Sequence, residues 1–168
     1  MNRNELKQFL LDTFGHLDAP QTFGLTIYGE ARGEPREGQI GVATVILERV
    51  DHHDWEGTDI KGVCLCPWQF SCFLSYSPEL KEMKGIAQNW DACYEKSFVL
   101  QGCYGIAHGM IDGTIPRDAD LHAAKCCQYV ETRFRKYADA NPGIATRWWA
   151  KMKMIKQLGR TEFYAAAT

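Results

Sequence analysis

The sequence predicts an α+β domain that is mainly helical and ends in a small C-terminal β-hairpin. Apolar side chains recur every three or four positions through the first half of the chain, as amphipathic helices require. Near the end, 152–158 and 161–164 flank the pair Gly159-Arg160, and a two-residue turn that begins with glycine is typical of a hairpin. The 168 residues, of which 45% are hydrophobic, include no internal repeat or long linker. We therefore expect a single domain over 1–168 with its own core.

The first two helices are predicted from their apolar spacing and their start signals. An N-terminal helix within 1–18 has Asn4 as its candidate cap. Its inner face consists of Leu6, Phe9, Leu10 and Phe14. Pro20 marks the first turn of a second helix, since proline is favoured there. That helix is expected to run through Glu30 until the segment 33–35, which contains glycine and proline, ends or bends it.

A third helix is predicted from about Glu37 to Val50. Its inner stripe consists of Ile40, Ala43, Leu47 and Val50. The many β-branched residues leave a strand as the alternative, and the length of the segment favours a helix. Between Pro78 and Leu100 we predict one or two helices with an interruption near Gly85. The Gly- and Asp-rich stretch 102–120 is predicted to be a loop.

The charge distribution is uneven although the formal net charge is only −2. Residues 121–168 carry nine basic and three acidic side chains, for a net charge of +6, whereas 1–120 is acidic. Such a segment is typical either of a solvated basic face or of a surface that meets an anionic polymer. No apolar run reaches the roughly 18 residues that a membrane-spanning helix needs. We expect a monomer without nucleic-acid partners and without stable membrane insertion.

Seven cysteines are many for a chain of this length, and the number is odd. Secreted disulfide frameworks usually have even counts. The pairs Cys64/Cys66 and Cys126-Cys127 are closer together than zinc-binding pairs usually are. A metal site that combines them with Cys72 and with His108 or His122 is the alternative to buried free thiols. We expect buried thiols, no metal and no cofactor.

The segment 27–35 is the most informative one for chemistry. Glu30 and Glu34 are four residues apart, so a continued helix would place both carboxylates on one face. Gly29 and Gly33 share this spacing and would leave a smooth strip that a ligand can approach. A carboxylate beside such a strip suits a general acid. The alternative is a solvated helix end with alternating charges.

A second segment, 62–73, mixes Trp and Phe rings with Gln and Ser side chains. Rings pack on the faces of sugar rings, and amides and hydroxyls bind sugar hydroxyls. The segment is therefore typical of a sugar-binding loop, and a packed structural loop explains it equally well.

Three blocks of the chain, in the same order, resemble those of the SleB-like cell-wall hydrolases, a family that includes spore-cortex-lytic enzymes and some phage lysis proteins. The first block is Tyr28-Gly29-Glu30-Ala31-Arg32-Gly33-Glu34-Pro35, followed by Glu37-Gly38-Gln39, Val42-Ala43 and Arg49-Val50. The second is Gly62-Val63 with Gln69-Phe70-Ser71-Cys72, and the third is Trp149-Ala150-Lys151-Met152 with Leu158-Gly159-Arg160 and Glu162-Phe163-Tyr164. The resemblance covers 20–164, nearly the whole chain.

The resemblance implies a lysozyme-like α+β fold and a single catalytic domain that cleaves peptidoglycan between N-acetylmuramic acid and N-acetylglucosamine. It implies that Glu30 is the catalytic acid and leaves Glu34 as a possible second carboxylate. The residues expected to bind substrate are Tyr28, Gln69, Phe70, Ser71 and Tyr129. The chain departs from the family at 118–129. Of the segment that family members usually have there, only an Asp, small residues and Tyr129 remain. The floor of the sugar cleft is therefore the part of the site in which this chain is expected to differ from the family.

One carboxylate is enough for a lytic transglycosylase, in which the 6-hydroxyl of the sugar closes a 1,6-anhydro ring, and hydrolysis by a muramidase is the alternative. A different enzyme class is a wall peptidase with Cys72 as nucleophile and His108 or His122 as base. A wall-binding module without activity is the third interpretation.

The N-terminal sequence 1–7 turns polar before the apolar core of a secretory signal can form. We therefore expect synthesis in the cytoplasm without a signal peptide and action on the cell wall of a bacterial host. A phage lysis enzyme of this kind would be delivered through a holin-type pore.

Overall fold

The computed structural model describes residues 1–52, 57–141, 143 and 147–167. In this part of the chain nine α-helices surround one main core, and a three-stranded antiparallel sheet lies at the C-terminal end. The helices are α1 (Arg3–Phe14), α2 (Ala19–Ala31), α3 (Arg36–His52), α4 (Ile60–Cys64), α5 (Glu79–Gln88), α6 (Trp90–Lys96), α7 (Phe98–Asp112), α8 (Ala119–Ala123) and α9 (Thr132–Ala140). The strands are β1 (Gln128–Glu131), β2 (Met152–Leu158) and β3 (Thr161–Ala166), and short 3-10 helices span Ser71–Phe73 and Trp148–Lys151. The predicted mainly helical α+β fold is confirmed.

The first two helices begin with reciprocal caps. The side chain of Asn2, rather than Asn4, accepts from the Glu5 amide at 3.0 Å, and the Glu5 carboxylate accepts from the Asn2 amide. The prediction of Asn4 as the cap is wrong, because Asn2 has the residue three positions later that completes a capping box. Asp18 forms the corresponding box at α2, with proline in the first turn as predicted.

Helix α2 is the centre of the fold. Every residue from Thr22 to Ile27 is buried, so this helix is enclosed on all sides and not on one face only. It packs mainly against α7, where a β-carbon on Gly24 would lie 2.8 Å from the Tyr104 Cα. The close contact fixes the axis of α2 and therefore the position of its C-terminal turn.

The third helix is confirmed, and the strand alternative for it is wrong. Two other predictions need correction. Helix α5 continues through Gly85, and the interruption lies at Asn89 instead. The stretch 102–120 is not a loop in its first half, because α7 extends to Asp112 and ends at Gly113, whose φ is +81°. Gly102, Gly105 and Gly109 all lie within α7, so the glycine content of this stretch does not indicate a loop.

The predicted hairpin is present and has a third strand. Strands β2 and β3 pair from Leu158 and Thr161 outward, and β1 pairs with the other edge of β3, giving the order β1-β3-β2. One face of the sheet packs on α3, where a β-carbon on Gly41 would lie 2.6 Å from the Phe163 ring. Strand β1 was not predicted, because four residues carry too little periodicity to identify a strand. It is this strand that positions Tyr129.

The hairpin turn is locked to the α2–α3 turn. Gly159 has a φ of +59° and Arg160 does not have a positive φ, as a type II′ turn requires. The Glu34 carboxylate accepts hydrogen bonds from the Arg160 amide at 2.7 Å and from its Nε at 3.0 Å. Side chains of two turns that are far apart in sequence thus hold the sheet against the helices.

The seven cysteines are free thiols, and five of them are buried. Within the described ranges no cluster of three potential metal ligands is found, and none of the helices is long and apolar enough to cross a membrane. Independence of activity from disulfides and zinc stays a prediction.

Gly159→Ala should destabilise the protein more than Gly113→Ala. Both positions have a positive φ, which costs an alanine about 1 kcal/mol. At Gly113 nothing lies within 4 Å of a new β-carbon, whereas at Gly159 the new β-carbon would clash with Glu34 Oε2. Thermal unfolding should show a decrease of about 2–4 °C for Gly113→Ala and at least twice that for Gly159→Ala. Equal decreases would contradict the turn-locking role of Glu34.

Candidate active site

Glu30 lies in the last turn of α2 and is half-buried. The last turn of a helix presents carbonyl oxygens and the negative end of the helix dipole. A carboxylate at this position therefore receives no stabilisation from its own helix, and its hydrogen-bond donors must come from other elements.

Three donors from two separate segments meet the Glu30 carboxylate. Ser71 Oγ lies 3.0 Å and the Cys72 amide nitrogen 2.9 Å from Oε1. The Tyr129 hydroxyl donates to Oε2 over 3.0 Å. Both oxygens are thus hydrogen-bonded, which fixes the orientation of the carboxylate and stabilises its negative charge.

A glycine in α2 lets the first donor segment approach. A β-carbon on Gly29 would lie 2.7 Å from both Cβ and Sγ of Cys72 and 2.8 Å from Met83 Cε. Cys72 therefore covers Gly29, and Arg160 covers Gly33. The glycine strip that the sequence predicted to face a ligand is thus covered by the protein itself. The glycines are needed for the approach of the 3-10 helix and the hairpin.

Tyr129 provides the donor on the opposite side. Its ring packs against Phe163 of β3 at a centroid distance of 6.0 Å. Burial, and then the negative charge of Glu30, raise the pKa of the Tyr129 phenol well above its ordinary value. The phenol therefore stays neutral at physiological pH and keeps the proton that it donates to Glu30.

Cys72 is poorly suited to be a nucleophile. Its side chain is buried, and burial together with the nearby Glu30 raises the pKa of the thiol well above its ordinary value. The reactive form of a cysteine is the thiolate, which this environment disfavours. The candidate bases are engaged elsewhere: His108 lies 3.1 Å from Asp112, and His122 Nδ1 lies beside Glu48 of α3.

The two carboxylates of the motif do not share a helix face, and that prediction is wrong. Helix α2 ends at Ala31, so Glu34 lies in the turn before α3, which begins at Arg36. The Glu34 side chain is only 5% exposed and forms the ion pair with Arg160. The structure thus places Glu34 as a support for the hairpin turn, away from the donors of Glu30.

Tyr28 faces a different set of partners from Glu30. Its hydroxyl donates to Glu82 over 2.7 Å, and the Arg32 guanidinium lies above its ring at 5.5 Å. Burial and the hydrogen bond to Glu82 raise the pKa of the Tyr28 phenol to about 12. Tyr28 also lines a cavity of about 490 Å³ with Glu82 and other residues of α5–α7.

The remaining predicted contacts differ in exposure. Ser71 is exposed and Gln69 is half-buried, so both side chains can reach solvent. Phe70 is 1% exposed, and its ring faces the Arg49 guanidinium. Its ring is part of the core, which leaves no open face for a sugar, and the expected substrate contact is replaced by a packing role. The exposed aromatic ring of this segment is Trp68.

Residues 33–164 match the sequence model of the Cell Wall Hydrolase family. The chain belongs to this family. The matched range contains Ser71, Cys72 and Tyr129, and it begins three residues after Glu30. The first helix lies outside it.

One curated relative and one solved structure are similar to this chain. A spore cortex-lytic enzyme from Oceanobacillus iheyensis is 45% identical over 51 residues, which are 30% of this chain and 18% of that protein. The chain thus matches less than a fifth of this relative's length. The catalytic domain of the germination-specific lytic transglycosylase SleB from Bacillus anthracis has a similar structure. Its TM-score is 0.52 at 23% identity, over 87% of this chain and 93% of that one. This likeness confirms the predicted lysozyme-like α+β fold.

Two features of the site were not visible in the sequence of this cell-wall hydrolase. The Cys72 amide is a backbone donor, and any residue type supplies one. The second is Arg49, which contacts both donor segments. In the sequence it is only one residue of the first resemblance block, and nothing there indicates that it lies near Glu30.

Cys72→Ala should retain activity toward peptidoglycan, and Ser71→Ala should reduce it. Alanine at 72 keeps the amide donor, whereas alanine at 71 removes a hydrogen bond to a charged group. Such a bond contributes about 1.5–3 kcal/mol, so we expect kcat to decrease at least about tenfold. Turbidity loss of purified peptidoglycan measures both. An inactive, folded Cys72→Ala would instead support the cysteine peptidase.

Proposed function

We propose that this protein cleaves the glycan strand of peptidoglycan between N-acetylmuramic acid and N-acetylglucosamine, with Glu30 as the general acid. The observation that supports this most is the half-buried carboxylate with donors on both oxygens, at the end of a buried helix. The family assignment and the names of the relatives agree with a substrate in the cell wall.

In the proposed reaction, protonated Glu30 donates its proton to the glycosidic oxygen, and the bond from this oxygen to C1 of N-acetylmuramic acid breaks. Negative charge then develops on the Glu30 carboxylate while positive charge develops on the sugar ring. The Ser71 hydroxyl, the Cys72 amide and the Tyr129 hydroxyl are in place to stabilise that negative charge before the reaction begins.

A single carboxylate favours the lytic transglycosylase route over a two-carboxylate mechanism. Enzymes with two carboxylates place them on both sides of the scissile bond. The groups that contact Glu30 are hydroxyl and amide donors, and Glu34 is occupied by Arg160. In the proposed second step, the Glu30 carboxylate takes the proton of the sugar 6-hydroxyl, whose oxygen attacks C1 and closes the 1,6-anhydro ring. Attack by water is the alternative outcome.

The substrate contacts are proposed for side chains that reach the surface beside Glu30. Ser71 is exposed and Gln69 half-buried, and both belong to the donor segment. Tyr129 is proposed to act by its hydrogen bond to the Glu30 carboxylate, and not by contacting the sugar itself. Tyr28 is proposed to bind substrate only on the α5–α7 side, where its cavity lies.

Glu30→Gln should abolish cleavage, and Glu34→Gln is its matched control. Glutamine has nearly the same shape as glutamate and cannot donate a proton at neutral pH, so a loss of about 10²–10⁴-fold is expected. Glu34→Gln should keep kcat near that of the wild type and lower the melting temperature, because it breaks the ion pair with Arg160. The readout is release of soluble muropeptides, with circular dichroism as the folding control.

Two results would contradict this assignment of roles. A folded Glu30→Gln variant with nearly wild-type activity would exclude Glu30 as the acid. A loss of activity in Glu34→Gln as large as that in Glu30→Gln would show that the reaction needs both carboxylates.

We further propose that the protein acts in phage lysis as a monomer that a holin-type pore delivers to the wall. The support is the resemblance to a family that includes phage lysis proteins, together with the basic C-terminal region. Of that region the exposed basic side chains include Arg133, Lys136, Arg147, Lys151 and Lys153.

Expression in a bacterial host with and without a co-expressed pore protein tests the delivery step. Rapid lysis that requires the pore is expected. Equal lysis without the pore would contradict delivery by a holin.

A further inference from the structure

A buried arginine stands behind the site. Arg49, near the end of α3, is only 3% exposed, and burial of a guanidinium is costly unless its contacts compensate. The contacts that compensate here lead toward the two segments that hold Glu30.

The first contact fixes the strand that carries Tyr129. Arg49 Nε donates a hydrogen bond of 2.9 Å to the carbonyl oxygen of Cys127. Cys127 is directly followed by β1, in which Tyr129 is the second residue. The hydrogen bond therefore sets the start of the strand two residues before the donor to Glu30 Oε2.

The second contact fixes the segment that carries Ser71 and Cys72. The Arg49 guanidinium carbon lies 5.2 Å from the centroid of the buried Phe70 ring. Phe70 is the residue immediately before the 3-10 helix, whose first two residues donate to Glu30 Oε1. A planar guanidinium over an aromatic face holds that ring in one orientation.

We propose that Arg49 is a positioning residue that keeps the Ser71–Cys72 and Tyr129 donors at the Glu30 carboxylate. This inference rests on the proposed function, because it assigns Arg49 a part in the same site. Arg49 bridges two segments 57 residues apart in sequence, counted from Phe70 to Cys127, and it contacts each one next to a donor. Its effect on the reaction passes through those donors.

Lysine should replace Arg49 poorly. Lysine keeps the positive charge and can reach one acceptor, but it has no planar group to lie on the Phe70 ring while it donates to Cys127. In Arg49→Lys the two donor segments should shift relative to Glu30, while the substrate contact proposed for Tyr28 lies outside these segments and should not change. The proposal therefore predicts that kcat falls by a much larger factor than the factor by which KM rises.

Arg117→Lys is the matched control. Arg117 also contacts α3, where it donates to Glu48 over 2.6 Å and to Asp51 over 2.5 Å, and it has no contact with the donor segments among the described bonds. Cleavage of soluble peptidoglycan fragments should show a kcat about 10–100-fold lower for Arg49→Lys, the size of effect that a misplacement near 1 Å produces. Arg117→Lys should have a wild-type kcat even if its melting temperature falls.

A double-mutant cycle separates positioning from a general effect on stability. If Arg49 acts through Tyr129, the loss in the Arg49→Lys/Tyr129→Phe protein should be smaller than the product of the two single losses. Losses that multiply fully, or an unchanged kcat in Arg49→Lys, would overturn the proposal.

If Arg49→Lys does not fold, Phe70→Leu, which preserves apolar volume, decides instead: an unchanged kcat in Phe70→Leu would contradict the proposal. An inactive wild-type protein would refute the proposed function itself, whereas an active wild type with an equally active Arg49→Lys refutes only the role of Arg49.

Discussion

The Glu30 carboxylate lies where its own helix offers it only carbonyl oxygens, and the rest of the site exists to supply the missing donors. Helix α2 is enclosed by other elements, so Glu30 is held at a fixed point. The 3-10 helix and β1 then approach from two sides with three hydrogen bonds. Removal of either segment would leave a half-buried charge with incomplete pairing, which is costly.

The same constraint explains the glycines and the hairpin. Gly29 has no side chain because Cys72 must come close to α2, and Gly41 has none because the sheet must come close to α3. The sheet carries Tyr129 on its edge strand, and the Glu34–Arg160 ion pair ties the hairpin turn to the turn that follows Glu30. Packing, turn chemistry and the orientation of one carboxylate are thus parts of one arrangement.

The first three helices, the helical region of α5 and α6, and the hairpin could be predicted because their signals are local: apolar spacing, helix start signals and a Gly-containing turn. Helices α4, α8 and α9 could not, because five to nine residues are too few to show a clear helical period. The length of α7 could not, since its three glycines give it the composition of a loop, and β1 is too short to show a period. At the site, the resemblance to a known family pointed to Glu30, Ser71 and Tyr129. The burial of Phe70 and the pairing of Glu34 depend on contacts between residues far apart in sequence, which one sequence does not display.

If the proposed function is correct, Glu30 and its three donors cleave the glycan strand and leave the peptides intact. The most direct measurement is mass spectrometry of the muropeptides that the wild-type protein releases from purified peptidoglycan. The released fragments should have intact stem peptides and end in 1,6-anhydro-N-acetylmuramic acid, which makes them lighter by one water than hydrolysis products. Fragments with cleaved peptide or amide bonds and an uncut glycan strand would contradict it.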